Sequence, residues 1–513
     1  MQDNFKSTLP RDALASVVVF LVALPLCMGI AIASGMEPAR GLVTGIIGGL
    51  VVGFLAGSPL QVSGPAAGLA VLVFELVRTH GIEALGPILL LAGAIQLVAG
   101  WLKLGCWFRV TAPAVVYGML AGIGILIVLS QVHVMMDEAP QASGLQNLLA
   151  FPGNLGDALA TSGTGAGAPA LAIGLGTMAL MFLWDKLRPA NLRFLPGALI
   201  GVSAMTAISL WLAMDINRVD VPANLGEAID WITPSSLALL ANPDLVIAAL
   251  ALAFIASAET LLSAAAVDRM HSGARSNFDR ELSAQGVGNL LCGAVGALPM
   301  TGVIVRSSAN VQAGARTRTS AILHGAWLLA FVMVLPGVLQ SIPVASLAGV
   351  LVYTGIKLVD LKAIRGLGRY GLMPVTIYAS TALTIVLTDL LTGVLVGFAL
   401  TLAKQAWNSA RLKITVVHRN DNEAELRLVG AATFLRVPKL AQALESIPPH
   451  TRLHVPLDHV HYIDHSSMEL MEDWGRAAER QGGALILGEQ ALKRRLEGRF
   501  HKASRLGSAA RSS

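Results

Sequence analysis

The sequence is poor in charged residues, in aromatic side chains and in cysteine. Charged residues make up 13% of the 513 positions and aromatic residues 5%, whereas 54% are hydrophobic. Because about a quarter of the residues in soluble domains are charged, this deficit excludes an ordinary soluble enzyme. The three cysteines, Cys27, Cys106 and Cys292, lie far apart in or beside apolar runs. They predict neither a metal site nor a disulfide framework.

The few charges are also distributed unevenly. Residues 1–408 form a succession of apolar runs, 409–503 have the composition of a soluble domain, and 504–513 are rich in Ser, Ala and Arg. We therefore expect a transmembrane domain, a soluble module and a disordered tail, in that order. The net charge of +5 does not predict nucleic-acid binding, because most basic residues of the membrane part fall in short loops between apolar runs.

The membrane part contains about fourteen apolar segments. The third and the tenth are too short to cross a bilayer unaided, since a spanning helix needs about 20 residues. The segments are 12–34, 40–57, 65–78, 84–102, 110–131, 167–185, 194–214, 244–266, 283–298, 305–315, 318–340, 343–358, 372–389 and 391–407.

Loop charges support this segment count, because cytoplasmic loops collect Lys and Arg. With the N-terminus inside, the inner loops hold Lys103, Arg109, Lys186, Arg188, Arg193, Arg269, Arg275, Arg280, Arg316, Arg318, Lys362, Arg365, Arg369, Lys404, Arg411 and Lys413. Arg40, Arg78 and Arg218 are exceptions on the outer side. We expect a multi-pass protein of the inner membrane, with the N-terminus and the C-terminal module in the cytoplasm.

Two sets of seven segments predict an inverted repeat, because an odd number reverses the orientation of the second set. In the third segment, Gly64-Pro65 predicts a helix that starts inside the membrane. The tenth takes the same place in its set, with Pro299 matching Pro59 and Arg306 near Pro65. The two half-helices would face each other with their N-termini, which attract anions. The alternative is a loop that leads into an ordinary buried helix.

Small and polar residues around these helix starts are candidate anion ligands. An arginine within a membrane is costly unless it is paired or hydrated, so Arg306 is predicted to compensate substrate charge. Its alternatives are snorkelling to water or pairing with Glu259. Serines at such positions also occur simply as packing residues. The predicted substrate-binding residues are Ser63, Gly64, Pro65, Ala66, Ala67, Arg306, Ser307 and Ser308.

Glu259 is the only carboxylate in the eighth apolar segment. It suits either of two coupling ions, a proton or a sodium ion, the latter with Ser263 one turn later and Thr301 as further oxygen ligands. A structural ion pair with Arg306 is the alternative. No cofactor and no other metal are predicted. Weaker candidates for a functional role are Asp389 and His324.

Short motifs at these segments are Leu24-Pro25-Leu26, Val62-Ser63-Gly64-Pro65-Ala66, Ala258-Glu259-Thr260-Leu261-Leu262-Ser263, Gln285-Gly286-Val287-Gly288-Asn289, Thr301-Gly302 and Arg306-Ser307. Together they resemble the sulfate permease (SulP) family of anion transporters, and its bacterial bicarbonate-transporting branch in particular. The resemblance implies core and gate subdomains, an elevator movement and a homodimer. It also implies that Glu259 stands at the family's cation-coupling position.

The C-terminal module alternates between strands and helices, which resembles the STAS domain of the same family. Strands are predicted at 412–417, 425–429, 453–457 and 484–487, and helices at 438–446 and 468–480. In related anti-sigma-factor antagonists a serine directly after the aspartate can be phosphorylated, but here His465 follows Asp464, with Ser466 next. We expect a packing and dimer-contact module, or one that binds a cytoplasmic protein, rather than a phosphoserine switch.

The sequence thus predicts an α-helical membrane protein with a small α/β STAS-like domain. The expected function is secondary active transport of small inorganic oxyanions, bicarbonate first and sulfate second, coupled to a proton or sodium. The expected partners are the anion and the lipid bilayer. A C4-dicarboxylate or nucleobase carrier, or a membrane-tethered signalling protein, are the alternatives. An enzyme is not expected, because no nucleophile–base pair is evident.

Overall fold

A computed structural model of the protein describes residues 5–487 except 106–112, 142, 161–166, 190–194, 223–224, 410–411, 421, 434–435 and 449. Cys106, Arg109, Arg193, Arg411 and the predicted tail 504–513 lie outside the described residues. The chain divides into two compact units, residues 1–398 and 399–513.

The first unit is almost entirely helical, as expected where the backbone must satisfy its own polar groups without water. Among the described residues, seven helical stretches are long and apolar enough to span a bilayer. The helices are α1 (Phe5–Ala33), α2 (Pro38–Ile47), α3 (Gly53–Leu55), α4 (Ala67–His80), α5 (Leu85–Trp101), α6 (Pro113–Met135), α7 (Gly144–Ala160), α8 (Gly167–Leu187), α9 (Gly197–Trp211), α10 (Pro234–Ala238), α11 (Pro243–Met270), α12 (Phe278–Ala294), α13 (Ile304–Gln312), α14 (Thr319–Val334), α15 (Pro336–Gln340), α16 (Val344–Leu358), α17 (Leu361–Gly368), α18 (Leu372–Leu387) and α19 (Leu390–Ser409).

Every apolar segment predicted from the sequence overlaps one of these helices, which confirms the helical membrane architecture. Two short strands, β1 (Ser63–Pro65) and β2 (Met300–Gly302), precede α4 and α13. The predicted start of α12 at residue 283 was wrong, because Asn277 caps the helix by accepting a 3.0 Å hydrogen bond from Arg280 N. The first turn of α12 is polar, so the apolar run that predicts the helix begins only after it.

Two of the basic residues that are exceptions to the predicted loop-charge pattern are hydrogen-bonded within the protein. Arg40 is buried, pairs with Asp230 and donates a 2.8 Å hydrogen bond to Gly296 O. Arg218 donates to Ser341 O at 2.7 Å. Because both guanidinium groups have hydrogen-bond acceptors within the protein, these two arginines do not have to lie in cytoplasmic loops.

The helices α5 and α12 pack at backbone distance. A Cβ on Gly93 would lie 2.6 Å from Leu290 N, and one on Gly286 would lie 2.5 Å from Leu97 N. Asn289 of α12 donates to Gln96 Oε1 at 2.7 Å and accepts from Met300 N at 2.8 Å. The close packing therefore fixes the helix that holds β2 in place.

Replacing Gly286 by alanine should separate α5 from α12, because its methyl group would collide with backbone atoms. We expect a loss of about 1–3 kcal/mol in stability, measured as a lower thermal unfolding temperature of the purified protein. The control is Gly366→Ala, where a methyl group meets nothing within 4 Å. Equal unfolding temperatures for the two variants would contradict the packing argument.

The second unit is a small α/β domain, as predicted. Its sheet has the order β3-β4-β5-β7, and β6 pairs with β4 at residues 430–432. The sequence did not predict β6, because this strand has only four residues and ends directly before the N-cap of the next helix, α21. The capping residue is Asp464, whose Oδ1 accepts a 2.9 Å hydrogen bond from Ser467 N. His465 and Ser466 are exposed. The elements are β3 (Leu412–Asn420), β4 (Glu423–Ala432), α20 (Val437–Glu445), β5 (Arg452–Val455), β6 (Val460–Ile463), α21 (His465–Glu479) and β7 (Ala484–Leu487).

Candidate functional site

The third and tenth segments meet in the interior of the first unit. β1 and β2 pair antiparallel, with Ser63 opposite Gly302, Gly64 opposite Thr301 and Pro65 opposite Met300. Each strand leads into a short helix, α4 or α13. The structure therefore brings together the two half-helices that the sequence predicted.

The pairing corrects how the two halves correspond. Gly64 and Thr301 are equivalent around the centre of the pair, so the helix starts Ala67 and Ile304 are equivalent too. Counted from these helix starts, Arg306 corresponds to Leu69 and Pro299 to Val62, a shift of three to four residues from the predicted match of Pro299 with Pro59 and of Arg306 near Pro65. The helix start predicted at Gly64-Pro65 was also wrong, because both residues belong to β1.

Both half-helices begin without a side-chain cap. The residues at the cap positions are Ala66 for α4 and Val303 for α13, and neither makes a capping hydrogen bond. The first N–H groups of an α-helix have no partner within the helix and carry positive partial charge. The two helix ends therefore offer backbone donors to an anion.

A cavity of about 710 Å³ opens at these helix ends. Its wall includes Ala67 and Gly68 of α4 and residues 303–305 at the start of α13. Tyr117 of α6 and Thr354 of α16 line it from other helices. Its size falls within the range of small-molecule sites, about 300–1,000 Å³.

Glu259 and Ser263 of α11 also line this cavity. The Glu259 carboxylate lies against Gly68, and no group in the described ranges hydrogen-bonds to its buried Oε2. Among the described residues Glu259 makes no ion pair, so the suggested pair with Arg306 is absent. Thr301 is fully buried away from the cavity wall, and its Oγ1 also lacks a partner.

Arg306 is fully buried and is not part of the cavity wall. Its guanidinium lies against Gly64, and no carboxylate in the described part of the chain pairs with it. Cys27 and His324, both buried, interact with it electrostatically. Arg306 can therefore act on the cavity through its charge but does not touch it. The sequence does not predict that Cys27 lies near Arg306.

The three predicted serine ligands are absent from the described cavity wall; Ser63 and Ser307 make hydrogen bonds at the crossing, and Ser308 bonds within α13. Ser63 Oγ accepts a 2.6 Å hydrogen bond from Gln285 Nε2. Ser307 Oγ donates to Val303 O at 2.7 Å and accepts from Val62 N at 2.9 Å. Ser308 Oγ donates to Val305 O at 2.9 Å. Of the eight predicted substrate-binding residues, Ala67 lies on the cavity wall, and Ser63, Gly64, Pro65 and Ala66 are buried next to it.

Three further polar residues support the strands and were not predicted to do so. Gln285 and Asn289 stand one turn apart on α12, and Thr260 Oγ1 accepts from Gly302 N at 3.1 Å. The spacing of the two amides on one face of α12 is the sequence feature that could have predicted this supporting role. The weaker candidate Asp389 caps α19 by accepting from Thr392 N at 2.8 Å.

The sulfate permease family model matches residues 9–381. The chain belongs to the sulfate permease family. A putative sulfate transporter, YvdB of Bacillus subtilis, is 27% identical over 96% of this chain and 94% of its own length. The bicarbonate transporter BicA of a Picosynechococcus strain is 24% identical over 80% of this chain and 73% of its own length.

Solved structures show the same fold for this sulfate permease family member. The transmembrane domain of a cyanobacterial bicarbonate transporter BicA matches with a TM-score of 0.66 and 24% identity, covering 76% of this chain and 98% of that chain. The murine Slc26a9 anion transporter matches with a TM-score of 0.77 and 16% identity, covering 95% and 86%. Membership of the sulfate permease family makes the chain a multi-pass membrane anion transporter and not an enzyme, as predicted.

Removing the charge of Arg306 should weaken anion binding although the side chain does not reach the cavity. We expect Arg306→Ala to raise the KM for the anion about tenfold, which corresponds to a modest electrostatic energy. Arg306→Lys, which keeps the charge, is the matched control and should remain closer to wild type. Uptake into proteoliposomes measures both, and identical KM values for the two variants would argue against a role for the charge.

Proposed function

We propose that this chain is a secondary active transporter of small inorganic oxyanions, with bicarbonate or sulfate as substrate. The observation that carries the proposal is the pair of uncapped helix ends, α4 and α13, on one cavity. Backbone N–H groups at the N-terminal end of a helix bind oxyanions without the help of side chains. Relatives named as sulfate transporters and as a bicarbonate transporter support this substrate class.

Buried charge supports the same proposal. Arg306 places a positive charge against Gly64 of β1, off the cavity wall. Since no carboxylate of the described residues pairs with it, its field is not cancelled locally, and in a medium of low dielectric such a field extends further than in water. The anion would then be held by N–H groups and by this field, without a direct ion pair.

Glu259 is the proposed coupling residue, with a proton or a sodium ion as its cation. Its unpartnered Oε2 and the Ser263 side chain one turn later face the same cavity as the helix ends. Carboxylate and hydroxyl oxygens fit a sodium ion, and the carboxyl group alone fits a proton. Thr301 would join only after a rearrangement, since it does not reach the wall.

We also propose an elevator movement. The cavity lies between the ends of α4 and α13 and the helices α6 and α16. In an elevator movement a core that carries α4 and α13 would slide against a gate that contains α6 and α16. We further propose an inner-membrane homodimer with the N-terminus and the second unit in the cytoplasm. The second unit would act as a STAS-like packing module or as a contact for a cytoplasmic protein.

A substrate panel tests the class of anion. Purified protein in liposomes should take up labelled bicarbonate or sulfate, because helix N-termini on the cavity wall favour binding of a small anion. Fumarate and uracil are the competing substrates, and liposomes without protein are the control. Uptake of uracil alone would refute the oxyanion proposal.

The coupling proposal is tested by Glu259→Gln, which keeps the shape of the side chain but cannot become an anion. We expect uptake to lose its dependence on pH and sodium gradients, since coupling requires a site whose charge a cation neutralises. The variant Asp389→Asn, away from the cavity, is the matched control. Full gradient-driven accumulation by Glu259→Gln would remove Glu259 from the mechanism.

Transport should reside in the first unit alone. A chain ending at Asn408 contains all of the cavity and both helix ends. We expect it to carry anions into liposomes, with the full chain as the control. If the shortened, folded protein carries no anion, the second unit takes part in transport itself.

A further inference from the structure

Gly68 is the second residue of α4 and stands directly against the Glu259 carboxylate. A Cβ at this position would lie 2.9 Å from Glu259 Oε1 and 3.0 Å from Oε2. Contacts of this length are closer than carbon and oxygen atoms normally approach. Glycine is therefore the residue that lets the carboxylate rest on the first turn of α4.

This contact places a protein anion at a helix end that also faces the cavity. Among the residues that the structure describes, none caps the first turn of α4 with its side chain, and none donates a hydrogen bond to Glu259 Oε2. A helix N-terminus attracts a carboxylate as well as an oxyanion. An ionised Glu259 and a bound oxyanion would therefore repel each other across the end of one helix.

We propose that Gly68 is the position that couples the two ions, because it admits Glu259 to the helix end where the anion binds. A cation on Glu259 removes the repulsion, so the anion binds well only after the cation has bound. By linkage, the bound anion raises the affinity for the cation to the same extent. This inference rests on the coupling role proposed for Glu259.

The test is Gly68→Ala in the full chain, with uptake of bicarbonate and sulfate measured over a series of pH values and sodium concentrations. The methyl group pushes the carboxylate away from the helix end, so the anion should bind with less help from the cation. We expect the ratio of uptake with saturating cation to uptake without it to fall about fivefold, a larger change than that in the KM for the anion.

Two further variants keep the test decisive. Glu259→Asp withdraws the carboxylate from Gly68 while keeping its charge, so it should also lower the ratio, and it decides the question if Gly68→Ala does not fold. Gly366→Ala, where a methyl group meets nothing within 4 Å, should match wild type. The other charged or titratable groups on the cavity wall, Tyr117, Asp268, Arg269 and Arg275, are unchanged in all of these variants.

The outcomes separate this inference from the coupling proposal. If Glu259→Gln loses cation dependence while Gly68→Ala and Glu259→Asp keep the wild-type ratio, Glu259 couples transport but Gly68 has no part in it. If Glu259→Gln itself keeps the wild-type ratio, coupling at Glu259 fails and this inference fails with it.

Discussion

The rest of the first unit depends on the antiparallel crossing of β1 and β2. Two strands of three residues each would leave unpaired N–H and C=O groups in the membrane interior, where each one is costly. Pairing satisfies some of these groups, and buried amide and hydroxyl side chains satisfy others, as Asn289 does for Met300 and Thr260 does for Gly302. Any shift of the crossing would move both helix ends that open onto the cavity.

At the ends of α4 and α13 the cavity wall is formed by small and apolar residues, Ala67 and Gly68 and residues 303–305, although Asp268, Arg269 and Arg275 also line the cavity. Ser63 and Ser307 are occupied in hydrogen bonds at the crossing, and Arg306 is buried off the cavity wall. Backbone donors bind an anion less tightly than a paired arginine would. In the proposed mechanism this is useful, because a transporter must release its substrate as well as bind it.

Close helix packing keeps this arrangement rigid. Gly93 and Gly286 allow α5 and α12 to touch at their backbones, and the amides of α12 then reach both strands. At Gly68 the absence of a side chain leaves room for the Glu259 carboxylate rather than for a neighbouring helix. Glycine thus allows close helix packing at Gly93 and Gly286 and, in our proposal, ion coupling at Gly68.

The membrane class, the positions of the helices and the two short segments were predicted from the sequence, because hydropathy and loop charge are properties of neighbouring residues. The Gly64-Pro65 pair likewise indicated a broken segment from local backbone chemistry. The start of α12 was missed because its first turn is polar although Glu281 within it is fully buried.

Only the tertiary structure decided which side chains face the cavity. Ser63 meets Gln285 across 222 positions of sequence, and Arg306, although in the first turn of α13, is fully buried and does not reach the cavity wall. The contact between Gly68 and Glu259 joins two different helices in the same way. Spacing along one chain cannot specify such contacts, because they depend on how distant segments pair and on the space that remains between them.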